Sequence, residues 1–222
     1  MAGKRDDLVN KPDPFRVFFE RVISYFAANM MQAYALMGII ALLSVGAAGW
    51  YLYSANYENN ARIIYDKALA AGMQGTMDRK AIIKAYQDVI AKYPRSKAAV
   101  MASYLMGNIY YNLGDSDAAV KSYQEFLKRA SSDNALTTLV YGGLGYCYES
   151  KRDFKNALAA YENALKSAGN GRFESLNYRN AARMYEALNN PAKALEYYKK
   201  ALAKNTDPSL DVLLKKKIST LG

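Results

Sequence analysis

LGYCYESKRDFKNALAAYENAL, residues 144–165, reads as two short helices joined by a tight turn. Small and apolar residues return every three or four positions on either side of Lys151-Arg152-Asp153, the period of a helix with one buried face. The polar tripeptide breaks that period. The same frame recurs upstream, where Met106-Gly107-Asn108-Ile109-Tyr110 leads across Leu113-Gly114-Asp115 to Ala119-x3-Tyr123-x2-Phe126-Leu127. It recurs downstream, where Tyr178-x2-Ala181-Ala182-x2-Tyr185 leads across Asn189-Asn190-Pro191 to Ala194-x3-Tyr198-x2-Ala201-Leu202. From Ser54 onward no strand-like alternation survives, so the expected fold class is all-α.

Helix–turn–helix units with this spacing of Gly or Ala, Tyr and Ala carry the tetratricopeptide (TPR) pattern. Tyr86, Tyr123, Tyr161 and Tyr198 stand 37, 38 and 37 residues apart, about one helical turn beyond the usual ~34. Each unit therefore has longer helices or a longer link. Full repeats are expected over about 100–131, 138–168 and 175–206. A degenerate one, whose second helix ends in Tyr86-x2-Val89-x4-Pro94, covers 56–94. Asp207-Pro208 offers an N-cap and a first-turn proline. Leu210, Val212, Leu213, Leu214, Ile218 and Leu221 follow as an apolar stripe. Residues 208–220 are thus expected to cap the solenoid. The cluster Gly142-Gly143-Leu144-Gly145 falls inside a helical pattern and reads as close helix packing rather than a phosphate loop.

Ahead of the repeats, residues 33–53 hold no charge. Such a helix spans roughly 30 Å, the thickness of a bilayer's hydrocarbon core. Tyr34 at one end, with Trp50, Tyr51 and Tyr53 at the other, suits an interfacial aromatic belt. A single transmembrane helix over 30–55 is expected. Lys11, Arg16 and Arg21, preceded by Lys4 and Arg5, outweigh Arg62 and Lys67, which places the N-terminus in the cytoplasm and the domain at 56–222 in the periplasm. The run is too long and too far from the start for a cleaved signal peptide. Within the 1–29 segment, Asp13-Pro14 opens an amphipathic juxtamembrane helix. Two readings of it stay open: it lies on the membrane, or it begins a longer tilted span. Ala41, Ser44 and Ala48 form a small-residue face for helix packing in the bilayer.

The net charge is +10, nearly all carried after residue 53. Beside a membrane this favours lipid headgroups or acidic protein partners over nucleic acid. The sequence has no histidine and one cysteine, Cys147. Ser-His-Asp, Cys-His and HExxH chemistry are thereby removed, and most zinc sites with them. No enzyme activity, cofactor or metal is expected.

In a TPR stack the first helix of each unit lines the concave face. Its positions not used for packing are Tyr104, Asn108, Tyr111 and Asn112, then Tyr146, Glu149 and Ser150, then Arg179, Arg183 and Glu186. Rings that cover apolar side chains, beside amides and charges that bond an extended backbone, suit protein or peptide binding.

The whole chain resembles the YfgM-type family, the ancillary subunit of the bacterial Sec translocon. The likeness lies in Arg16-Val17-Phe18-Phe19 before the span, Gly49-Trp50-Tyr51 closing it, the divergent first repeat, and the ending Asp207-Pro208-Ser209-Leu210 through Lys217-Ile218-Ser219-Thr220-Leu221. It implies a bitopic bacterial inner-membrane protein beside the translocon subunits. Its periplasmic repeats would bind a PpiD-type chaperone and exported chains. The competing expectation is a TPR scaffold for another envelope complex, such as outer-membrane assembly, a pilus or a motor.

Overall fold

The computed structural model describes residues 13–131, 136–167, 171 and 173–222. Lys4, Arg5 and Lys11, on which the expected orientation partly rests, lie outside the described residues, as does residue 168 at the end of the third expected repeat. All regular structure among the described residues is helical, and the chain divides into two compact units, up to Asn56 and from Tyr57.

The first unit contains α1 (Pro14–Ala28) and the first part of α2 (Met30–Met73). Asp13 caps α1 as expected, its carboxylate accepting from the Phe15 amide at 2.9 Å, with Pro14 in the first turn. The two helices are separate. Asn29 leaves the helical region at φ −124°, and its amide closes α1 on the carbonyls of Tyr25 and Phe26. No residue of this unit's described part is buried. A helix apolar on every side needs lipid or a core around it, and α2 is long and apolar enough to cross a membrane by length and composition. Ala41, Ser44 and Ala48 are exposed, and the Ser44 hydroxyl turns back onto the Ile40 carbonyl at 2.8 Å.

The second unit opens with the end of α2, which pairs with α3 (Arg79–Lys92) as the degenerate first repeat. Ala61 and Ala68 of α2 are buried against Val89, Tyr86 and Ile82 of α3. Three full pairs follow: α4 (Lys97–Asn112) with α5 (Ser116–Arg129), α6 (Thr137–Ser150) with α7 (Phe154–Ser167), and α8 (Glu174–Ala187) with α9 (Pro191–Ala203). α10 (Pro208–Leu221) closes the series on α9. The helices of these pairs run 13 to 16 residues. Turns of three residues join the helices within a pair, whereas residues 130–136 and 168–173 separate successive pairs. The residues beyond the usual TPR length are therefore not in the described helices, which keep ordinary lengths.

Each internal turn is built the same way. Gly114, Arg152 and Asn189 adopt positive φ of 79°, 58° and 58°. The next residue's amide reaches back to close the preceding helix: Asp115 to Tyr110, Asp153 to Tyr148, and Asn190 to Tyr185, at 2.8–2.9 Å. That is a Schellman closure. The same Asp115, Asp153 or Asn190 then caps the following helix, accepting from the amides of Ala118, Asn156 and Lys193.

The core runs through the pairs as a chain of small clusters, each spanning neighbours. Its largest members are the repeated tyrosines of the second helices, buried to within 2 %. Two of them, Tyr123 and Tyr161, fit because glycine faces them. A β-carbon on Gly107 or Gly143 would come well under 3.0 Å from the Tyr123 ring, and one on Gly145 would strike Tyr161. Gly143 and Gly145 thus do the close packing expected of their cluster, while Gly142 meets only the Asn177 amide at 3.8 Å. The capping stripe needs correction. Leu210, Leu214, Ile218 and Leu221 pack on α9, but Val212 is 74 % exposed and Leu213 46 %. At 100° per residue, position 212 falls on the opposite side from 214.

Candidate interaction groove

α4, α6 and α8 place corresponding side chains one unit apart. The repeat offset puts Asn108, Tyr146 and Arg183 in one row, and Tyr111, Glu149 and Glu186 in the next. Two adjoining depressions lie along these rows.

The first, about 200 Å³, is lined by Tyr104, Asn108 and Tyr111 of α4, Tyr123 of α5, Tyr146 of α6, and Phe173, Leu176 and Asn177 at the start of α8. Tyr111 is 39 % exposed, its ring 6.4 Å from that of Tyr146. Burial first, then Cys147, Tyr146 and the Glu149 carboxylate, raise its pKa, so it stays a neutral hydroxyl donor. Asn108 is not free: its Oδ1 accepts from the buried Tyr123 hydroxyl at 2.7 Å. Asn177 is only 3 % exposed, yet its Nδ2 has no acceptor among the described residues. A buried donor left unmade costs roughly 1–3 kcal/mol, which a carbonyl entering the depression would relieve.

The second depression, about 530 Å³, is walled by Glu149, Phe154, Arg179, Arg183, Met184, Glu186, Ala187 and Tyr198, with Leu213 and Lys217 of α10. The Glu149 carboxylate pairs with Arg183 and accepts from the Tyr161 hydroxyl at 3.1 Å. Glu186 repeats that arrangement, accepting from the Tyr198 hydroxyl at 2.6 Å and from Lys217 Nζ at 2.9 Å. Burial works against the Glu186 charge, but Tyr198, Lys217 and Arg183 outweigh it and hold the carboxyl below its ordinary range. Arg179 contributes a buried Nε with no acceptor.

The expected site residues therefore part company. Tyr104, Asn108, Tyr111 and Tyr146 line the first depression, and Glu149, Arg179, Arg183 and Glu186 the second. Asn112 is exposed and borders neither, and Ser150 bonds Ser116 at 2.8 Å between units. Sequence reading missed Asn177, whose α8 position lies a turn ahead of the residues singled out. It also missed Lys217, which reaches Glu186 from the cap.

A further regularity links the units. Ser116 with Ser150, Asp117 with Lys151, Tyr146 with Asn180, and Glu149 with Arg183 are each bonded across 34 residues. These bonds tie each pair of helices to the next at a constant offset.

Residues 136–206 match one tetratricopeptide-repeat family model and residues 102–133 another. No curated protein sequence matches the chain. Among solved structures, a crystal structure of MamA superposes with TM-score 0.57 at 18 % identity, covering 69 % of this chain and 81 % of that one. A second MamA structure gives 0.55 at 22 %, covering 66 % and 73 %. PilF of Pseudomonas aeruginosa gives 0.56 at 16 %, covering 75 % and 69 %. The second unit is a TPR solenoid, a fold for binding proteins.

Proposed function

We propose that this TPR solenoid serves, without enzymatic activity, as a membrane-anchored binding module at the exit of the bacterial Sec translocon. Residues 30–55 anchor it as a single pass in the inner membrane, with the N-terminus in the cytoplasm and the repeats in the periplasm. The groove along α4, α6 and α8 takes extended segments of exported chains, in company with a PpiD-type chaperone. One observation carries the binding half: buried, acceptor-less Asn177 Nδ2 and Arg179 Nε stand beside half-exposed tyrosines in the two depressions. Carbonyls and apolar side chains of an extended chain supply what is missing there. The uncharged length of α2 and the basic residues before it support the anchor. The resemblance of both chain ends to the translocon subunit supports the location. Anchoring also makes modest affinity sufficient, since a tether raises local concentration to roughly millimolar.

Photocrosslinking in native membranes tests this reading, with the probe at Tyr111 and, separately, at Ala48. Adducts to translocon subunits from Ala48, and to a chaperone or many exported chains from Tyr111, are the expected result. A single stable adduct to an unrelated envelope protein would sink it and leave a scaffold for that complex.

A further inference from the structure

The charges around the second depression do not balance. Arg183 is neutralised by Glu149, and Lys217 by Glu186. Among the described residues Arg179 has neither an ion pair nor an acceptor for its buried Nε. Arg179 lines the same cavity as Tyr198, Glu186 and Lys217. Phe154, Met184, Ala187 and Leu213 supply an apolar wall. The cavity therefore offers one unspent guanidinium above a greasy surface.

Its position fixes what else the occupant touches. Leu176, Arg179 and Arg183 stand at i, i+3 and i+7 on α8, along one face of that helix. Leu176 lines the tyrosine depression, and the two arginines line the cavity. On α6, Tyr146 and Glu149 bridge the same two spaces, one turn apart. A chain lying over Tyr111 and Tyr146 runs on to Arg179.

We infer that Arg179 receives the side-chain carboxylate of an aspartate or glutamate within the bound segment, a few residues from an apolar side chain seated among the tyrosines. This rests on the peptide-binding reading above and sharpens it from any extended chain to an acidic–apolar one. A planar guanidinium grips a carboxylate through two parallel hydrogen bonds. The net positive charge of the chain favours the approach of such segments.

Fluorescence polarisation with the full chain in detergent micelles tests it. The probes are labelled, acetylated and amidated Gly/Ser peptides carrying one phenylalanine and, a few residues away, either glutamate or glutamine. Glutamate peptides are expected to bind about tenfold more tightly. Arg179→Gln should abolish that preference at an unchanged melting temperature, and Arg179→Lys should keep only part of it, a point charge replacing the fork. Tyr111→Ala should weaken both peptide classes by the same factor. Equal binding of glutamate and glutamine peptides by the native chain would overturn the inference and spare the groove. A preference that survives Arg179→Gln would overturn it too. So would a preference shown only by peptides with a free C-terminal acid, because the chain end would then be the source of the carboxylate. Failure of every peptide to bind would remove the groove reading as well.

Discussion

At the residue scale the turns hold the clearest contrast. Three equivalent positions adopt the left-handed region, and only Gly114 does so without a β-carbon to accommodate. Asn189 is tolerated there because its short amide suits that conformation, whereas Arg152 has no such excuse. Replacing Arg152 with glycine should stabilise the repeats by about 1 kcal/mol, relief of the strained backbone outweighing the greater freedom of unfolded glycine. Thermal unfolding of the Arg152→Gly chain checks this, and an unchanged or lower midpoint would contradict it. The Cys147 thiol invites no comparable role: it is fully buried, and burial pushes its pKa up to about 11, opposed only by Lys151.

At the element scale α10 is held partly by charge. Its apolar side on α9 is joined by the Lys217 ion pair to Glu186. Because the Glu186 pKa is lowered on folding, its contribution is complete above the ordinary value of 4.5 and is lost as pH falls through the lower folded one. Acidification through that window should loosen α10 before the inner repeats. Hydrogen exchange should show its amides losing protection first, and Lys217→Gln should weaken the pH dependence, with the Tyr198 hydroxyl on Glu186 and the Asp207 cap keeping part of it. Much of this scale was legible in sequence: Asp13 and Asp207 announce their helices, because capping is a local transaction between a side chain and an amide two or three residues on, and Asp115 and Asn190 fall in segments that read as turns. What could not be read is which first-helix positions meet the next unit. Glu149 and Arg183 look like members of an open face until the stacking offset brings them together. Val212 and Leu213 look like core until the docking angle of α10 leaves them outside.

At the scale of the whole repeat unit, the buried tyrosines act in concert. Burial, with neighbouring phenols and carboxylates adding to it, raises Tyr86 to about 12 and Tyr123, Tyr161 and Tyr198 higher still. A phenol whose pKa is raised by folding stabilises the fold below its unfolded value near 10 and ceases to as pH climbs through the folded value. The four buried tyrosines should therefore ionise only as helix is lost. Tyrosinate absorbance and far-ultraviolet circular dichroism recorded on one alkaline titration should show an absorbance step that coincides with unfolding. A single smooth step ahead of any helix loss would refute it. The number of units was countable from the tyrosine spacing alone, since every unit repeats one local recipe. The surplus residues were ambiguous between helix and link, because helix periodicity does not say where a helix stops without its cap.

Tyr123 stands with Gly107 of its own unit on one side and Gly143 of the following unit on the other. Its hydroxyl, held by Asn108, lies on the axis about which the ring turns, so the ring turns over only when the two glycine-bearing helices part. Each half-turn thus counts one breath of the seam between adjacent units, and the phenol keeps time for the opening of the groove it helps to floor.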